Sequence, residues 1–399
     1  MADWEKKIDI NNVFLLQPTR PKTFFGVGAI AKLDEILAGY AAAGKKKVLV
    51  VTDTIAYKAS GAWDTVEPAL NKNVQWTHYD KVRPNPTYAN CEDAAAAGTA
   101  FGADVILAIG GGSSMDTAKT AAVLMKHPGK KAKDFYEAGE PITGASPLIL
   151  VNTSHGTGSE CDAFAVAQSD GEDKPAINSP HIYAEYAIED PRLTATMPLK
   201  QTISTSIDAL NHAVETATTI VASPYSICLS KEAVRLVATY LPTAIAQPGN
   251  LTARYWLMYA SAIAGMSFDL SFLHITHSME HAMSAINEKV THGDGLGILL
   301  PAMFREIYHA VPEVLADVCA PIVPGLEGVP GEADFFVEQF SLWLNSVGQP
   351  TTMAGYFTEA DIPALVKMTM DSSLSKLLLG LAPIKADEKV VERIFRNSL

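Results

Sequence analysis

The hydrophobic period of the chain changes once, and this change constrains the fold more than any other feature. Up to Asp190-Pro191, short runs rich in β-branched residues alternate with amphipathic stretches, the pattern of a parallel sheet covered by helices. Lys46 to Asp53, Val74 to Asp80, Asp104 to Ile109 and Pro147 to Asn152 read as strands, with helices at Tyr88 to Phe101 and Met115 to Met125. From about Leu199 onward nearly every segment repeats its apolar residues at the helical period, and strand-like runs disappear. The expected class is α/β followed by all-α, with an α/β domain over 1–198 and an all-helical domain over 199–399. The stretch from Pro321 to Glu332, rich in Pro and Gly, reads as a loop between helices.

With 399 residues, a core can form in each half without staples. A net charge of -13 and the lack of a Lys/Arg stripe oppose nucleic acid and anionic lipid as partners. Four cysteines, Cys91, Cys161, Cys228 and Cys319, show no CxxC spacing and fit a reducing cytoplasm. The start, MADWEKKIDI, lacks the apolar stretch of a secretory signal. The most apolar window, Tyr255 to Leu273, is broken by Asp269 and several serines and reads as a buried helix, so no membrane partner is expected.

Two segments carry chemistry in the first half. DVILAIGGGSSMDTAK runs a buried strand into Gly110, Gly111 and Gly112, then Ser113 and a helix start; such glycines let a backbone approach a pyrophosphate, and the helix terminus offers free N–H groups. A plain strand-to-helix turn is the competing reading. Gly26-Val27-Gly28-Ala29-Ile30-Ala31 also fits GxGxxA, but the strand before it, Lys22 to Phe25, is too short and polar for a central parallel strand. Asp53 ends the KKVLVVTD strand, where a carboxylate accepts from ribose hydroxyls and repels a 2′-phosphate, favouring NAD over NADP. It reads equally as a helix cap.

The second half concentrates imidazoles. In ISTSIDALNHAVET, Asp208, His212 and Glu215 project from one helical stripe beside the apolar set Ile207, Leu210, Val214 and Ala217. His277 and His281 lie four apart in HITHSMEHAM, and His292 follows. A solitary histidine on an apolar helix is usually a hydrogen-bonded structural residue, but several together suit a divalent ion such as Fe(II) or Zn(II) better than Mg or Ca. His277-Ser278-Met279-Glu280-His281 also matches HxxEH, the inverted zinc-peptidase motif, in which Glu280 would be the general base. That zinc-dependent hydrolase is one rival reading.

Taken together, the chain resembles the iron-containing (group III) alcohol dehydrogenases over nearly its full length. The matching blocks are PNPT at Pro84 to Thr87, GGGSSMDTAK at Gly110 to Lys119, NTSHGTGSE at Asn152 to Glu160, DPRL at Asp190 to Leu193, IDALNHAVE at Ile207 to Glu215, AGMSF at Ala264 to Phe268, HSMEH at His277 to His281 and His292-Gly293. The resemblance implies a Rossmann-like dinucleotide domain, a helical domain, and an active site in the cleft between them. It places the metal ligands on Asp208, His212, His277 and His292, and puts His281 near the nicotinamide as the catalytic candidate. It assigns cofactor contacts to Asp53, Asn85, Gly111, Gly112, Ser113, Asp116, Thr153, Ser154, Thr157, Lys174 and Leu193. It also implies a homodimer or higher homo-oligomer.

Departures from the family pattern bear on substrate: His155 stands where many members have Ala, Phe164 where several have Asn, and Phe272-Leu273-His274 replaces a glycine-rich stretch. Phe164, Phe272 and His274 are therefore the expected substrate-pocket residues. The chemistry expected is hydride transfer between a small alcohol or aldehyde and NAD, with NADP as the alternative, assisted by a Lewis-acidic ion and with His281 relaying a proton. A non-redox metal-dependent cyclase of the same two-domain plan is the remaining rival, and it lacks the Lys/Arg cluster a substrate phosphate would need.

Overall fold

The computed structural model describes residues 11, 14–17, 21–169 and 174–399. The MADWEKKIDI start lies outside the described residues. The chain divides into two compact units, the first formed by the described part of Met1–Gly171 with Pro175–Met197 and Gly249–Met258, the second by Lys174, Pro198–Pro248 and Tyr259–Leu399.

Among the described residues, the first unit has nine strands: β1 (Phe14–Gln17), β2 (Lys22–Phe25), β3 (Lys47–Asp53), β4 (Gln75–Val82), β5 (Val105–Gly110), β6 (Leu148–Asn152), β7 (Phe164–Val166), β8 (Ala176–Asn178) and β9 (Tyr186–Glu189). Seven form one sheet in the order β1-β2-β9-β6-β5-β3-β4, parallel throughout except for β1 against β2, and β7 and β8 pair as a small antiparallel ribbon. The central strands β3, β5 and β6 bury both faces, so they read as continuous apolar runs without alternation. Alternate residues nonetheless serve different layers. Leu49, Val51, Ile106, Ala108, Leu148 and Leu150 pack under the Tyr88–Phe101 and Gly112–Lys126 helices. Val48, Val50, Leu107, Ile109 and Val151 pack with Leu33, Leu37, Val66 and Leu70 of the Lys32–Ala42 and Trp63–Asn73 helices. Six parallel strands between two helical layers direct their C-terminal ends to one edge, the usual place for ligands in such sheets.

In the second unit every described helix-forming segment keeps the helical period, and no strand follows Glu189 among the described residues. The Leu199–Thr218 helix buries Ile207, Leu210, Val214 and Ala217 as their spacing predicts. The apolar Tyr255 to Leu273 window falls on the Leu251–Ser271 helix except for its last two residues, and no single helix is long and apolar enough to cross a membrane among the described residues. That helix ends at Phe272, whose φ of 60° is left-handed, and the following Ile275–Ile286 helix departs at 108°. A phenylalanine in this region costs about 1–2 kcal/mol relative to glycine. The sharp turn nonetheless sets the direction of the helix that carries His277 and His281.

Candidate active site

At the C-terminal edge of the sheet, β5 runs into Gly110 and Gly111, and the Gly112–Lys126 helix begins at once. The glycines are required by a second segment of chain. A Cβ on Gly112 would lie 2.7 Å from Thr157 Cγ2, and one on Gly111 would lie 3.1 Å from Ser154 Oγ, so the NTSHGTGSE segment packs directly on the loop. Thr153 N–H donates to the Gly110 carbonyl at 3.0 Å, and Asn152 Oδ1 accepts from Ser154 N–H at 3.0 Å. Gly111, Gly112, Ser113, Thr153, Ser154 and Thr157 thus form one surface. Asp53 borders it: its Oδ2 lies 3.7 Å from where a Gly110 Cβ would stand, while Oδ1 accepts from the Ile55 and Ala56 N–H groups. The helix-cap reading of Asp53 is realised, and one carboxylate oxygen remains toward the glycines.

Other polar residues of this region are engaged by the protein itself. Asp116 accepts from Ser159 Oγ at 2.8 Å and from Val166 N–H at 3.1 Å, which ties the Gly112–Lys126 helix to the segment beyond the glycine loop. Lys119, fully buried, donates to the Ser159, Asp162 and Phe164 carbonyls and pairs with Asp162 Oδ1 at 2.8 Å. Burial pushes the Asp162 carboxyl up to about 7 against the opposing pull of Lys119. Phe164 is half-buried in β7 and gives its carbonyl to Lys119. Asn85 takes a left-handed φ of 52°, and Leu193 is buried in the short 3₁₀ turn Pro191–Thr194. The rival GxGxxA segment has its own anion: Asp190 Oδ2 accepts from Gly28 N–H at 3.0 Å and Ile30 N–H at 3.4 Å, and its strand β2 lies next to the edge strand. A carboxylate from the chain occupies the donors a phosphate would need.

In the second unit, four residues converge. Asp208 Oδ1 lies 3.5 Å from His212 Nδ1, 3.8 Å from His277 Nε2 and 3.6 Å from His292 Nε2. Asp208, His277 and His292 can each place one ligand atom within 4.8 Å of the others, and the rings of His212 and His277 stack at 4.6 Å. The buried atoms Asp208 Oδ1, His212 Nδ1 and His277 Nε2 have no hydrogen-bond partner, an arrangement costly enough to demand a ligand. Oxygen and imidazole nitrogen facing one point fit a divalent transition ion. His292 opens the His292–Ile307 helix, and the glycine after it is obligatory, since a Cβ on Gly293 would overlap the Ser204 carbonyl of the Leu199–Thr218 helix.

Behind the cluster stand carboxylates that sequence reading placed otherwise. His277 Nδ1 contacts Glu215 Oε2 at 2.6 Å, and His292 Nδ1 contacts Glu280 Oε2. Burial opposes ionisation of Glu215, but His274, His277 and the Thr276 N–H hold its pKa down at about 2. Glu280, the supposed general base of HxxEH, therefore faces a histidine as an acceptor. The helical spacing that gave HxxEH its appearance also carries Glu280 to His292. Lys174 belongs to this unit and not to the glycine loop's; it is buried and donates to Ser284 Oγ at 2.5 Å. His281 is half-buried, its ring 5.8 Å from that of His292, and burial lowers its pKa well below the usual value. His274, expected in the substrate pocket, is fully buried against Thr218 Oγ1 at 2.9 Å and Glu215 Oε1 at 3.3 Å, while Phe272 is half-buried. Phe268 stacks on His212 with centroids 5.7 Å apart, a contact its place in AGMSF did not reveal.

A parallel-sheet unit with a glycine-rich helix start, joined to a helical unit with a carboxylate and three histidines around one point, defines a two-domain, metal-dependent dehydrogenase. Residues 20–191 match the iron-containing alcohol dehydrogenase family, and residues 202–399 match the C-terminal part of the same family. The chain belongs to the iron-containing alcohol dehydrogenases, and it is a metal-dependent alcohol dehydrogenase. It is 46% identical, over 99% of its length and 100% of the relative's, to a long-chain primary alcohol dehydrogenase of Thermoanaerobacter ethanolicus. A 1,3-propanediol dehydrogenase of Klebsiella pneumoniae is 30% identical over 94% of this chain and 96% of its own. Among solved structures, an NADH-dependent butanol dehydrogenase of Thermotoga maritima superposes with a TM-score of 0.86 at 25% identity, covering 97% of this chain and 98% of that one. Neither the hydrolase nor the cyclase reading draws support from these relatives.

Proposed function

We propose that the enzyme interconverts primary alcohols and aldehydes with NAD, using Fe(II) held by Asp208, His212, His277 and His292. The observation that carries this reading is the convergence of three partnerless buried atoms, Asp208 Oδ1, His212 Nδ1 and His277 Nε2. When bound, the ion supplies Lewis acidity that polarises the alcohol oxygen. The Gly110–Ser113 turn, with Thr153, Ser154 and Thr157 beside it, binds the cofactor's pyrophosphate. Asp53 accepts from the adenosine ribose and disfavours the 2′-phosphate of NADP. Asn85, Asp116, Lys174 and Leu193 complete the proposed cofactor set, Asp116 by holding the loop through Ser159 and Val166. His281 relays the proton that leaves the alcohol, its ring 5.8 Å from that of His292. Phe272, in the unit that carries the histidines, shapes the space for the alkyl chain.

A primary alcohol is favoured by the relative that is 46% identical, a long-chain primary alcohol dehydrogenase, and NAD by the NADH-dependent butanol dehydrogenase. We further place the enzyme in the cytoplasm as a homodimer or larger homo-oligomer. The test is NADH formation with a series of primary alcohols of increasing length, before and after chelation. Turnover should vanish on chelation and return with Fe(II), with Zn(II) as the comparison, while NADH fluorescence still reports binding. Full activity in metal-free protein would refute the proposal.

A further inference from the structure

We infer that Glu215, backed by His274, is the positioning residue that fixes His277 for the metal ion; the inference rests on the metal-site reading above. Glu215 is fully buried on the Leu199–Thr218 helix, three residues beyond His212. Its carboxylate performs two jobs on the neighbouring helix. The Ile275–Ile286 helix starts without a side-chain cap of its own, so its first N–H groups need outside acceptors. Glu215 supplies them: Oε1 accepts from Thr276 N–H at 2.6 Å, and Oε2 lies 3.4 Å from His277 N. An anion at this end also meets the favourable pole of the helix dipole.

The second job concerns the ring. An ionised carboxylate only accepts hydrogen bonds, so the contact of Glu215 Oε2 with His277 Nδ1 at 2.6 Å requires the proton to reside on Nδ1. In the neutral ring that a metal ion requires, Nε2 then carries the lone pair, and Nε2 is the atom that lacks a partner and lies 3.8 Å from Asp208 Oδ1. One carboxylate thereby sets both where the helix begins and which nitrogen of His277 is free to ligate. His274 supports it from behind. Its Nε2 lies 2.9 Å from the Thr218 hydroxyl, which itself donates to the Val214 carbonyl, and its Nδ1 lies 3.3 Å from Glu215 Oε1. The left-handed turn at Phe272 precedes His274 and starts the 108° bend that returns the chain to the Leu199–Thr218 helix. The Phe272-Leu273-His274 departure therefore places a fully buried imidazole against Glu215.

The test uses full-length protein. Glu215→Gln, close in shape but unable to accept as an anion, should weaken metal binding about 10–100-fold in competition with a chelator. It should also shift the visible spectrum of the Co(II)-substituted protein while NADH binding is unchanged. Asp208→Asn, assayed beside it, must lose metal if the metal-site reading is right. Wild-type metal affinity and Co(II) spectrum in Glu215→Gln, with metal lost in Asp208→Asn, would overturn the inference alone. Metal retained in Asp208→Asn would overturn the metal-site reading instead. Should Glu215→Gln not fold, histidine ¹⁵N shifts of the Zn(II)-loaded wild type decide: Nδ1–H with Nε2 ligated supports the role of Glu215, and the opposite tautomer contradicts it.

Discussion

The glycine-loop region and the histidine cluster solve opposite electrostatic problems. Beside the loop, Lys119 has Asp162, Asp116 has Ser159 and Val166, Asp190 has Gly28 and Arg192, and Asp53 has Ile55 and Ala56 as partners, while Glu160 and Glu189 behind it keep one buried oxygen each without a hydrogen bond. Around Asp208 the reverse holds, and buried polar atoms face one another without hydrogen bonds. In the function proposed above, the first region is scaffolding that presents backbone N–H groups to a ligand. The second is incomplete on its own and requires an ion to satisfy it. Preorganised backbone suits a cofactor that comes and goes, and a resident ion suits a cluster whose unmet hydrogen bonds favour occupancy.

The largest effect that separates the two regions should come from Lys119. Removing a buried cation strands Asp162 without a counter-charge, and Lys119→Ala should cost about 3–5 kcal/mol of stability in urea unfolding. NADH binding should weaken with it, because Lys119 anchors the segment beyond Thr157. A loss below about 1 kcal/mol would show that the loop region is not built on this pair.

A second, smaller effect depends on pH. Burial, and then the nearby Arg254, lower the pKa of His155 to about 3, whereas an unfolded histidine titrates near 6.5. Between these values the unfolded chain binds the extra proton, so folded stability falls as pH drops from about 6.5 toward 3. Stability lost from pH 7 to pH 5 should be smaller in His155→Asn than in the wild type by about 1–2 kcal/mol. Parallel pH profiles would remove His155 from the account.

Asp53 offers a finer test, because its two oxygens have different duties. Asp53→Asn keeps a good cap for the Ala56–Ala59 turn but removes the charge. The ratio of NADP to NAD efficiency should rise about ten-fold with unfolding unchanged. An unaltered ratio would leave Asp53 as a cap only.

The same contrast explains what the sequence made legible. Strands β3, β5 and β6 announced themselves because central parallel strands are continuous apolar runs, whereas β4, QWTHYDKV, is a mostly polar edge strand. β9 did not: it is four residues long, Tyr186–Glu189, and ends in a glutamate. β1 is equally short, and β7 and β8 are shorter still. Asp208 with His212 and His277 with His281 were singled out by four-residue spacings, since both partners of each spacing share a helix face, and it was the family resemblance that chose His277 over His281. The roles of Glu215 and Glu280 were not, because each acts on a histidine of another helix, a relation that spacing within one segment cannot express. His274 was misplaced for a similar reason: a polar residue in an otherwise open turn reads as a pocket contact until Thr218 and Glu215 are found against it.

The central claim is that the cluster around Asp208 is a metal site in which His277 ligates and His281 does not, although four residues on one helix separate them. Elemental analysis of bound metal per chain, on His277→Ala and His281→Ala purified in parallel, tests it most directly. The account predicts that His277→Ala falls well below one ion per chain and loses turnover, whereas His281→Ala keeps its ion and turns over slowly or with altered pH dependence. Equal loss of metal from the two variants would contradict it.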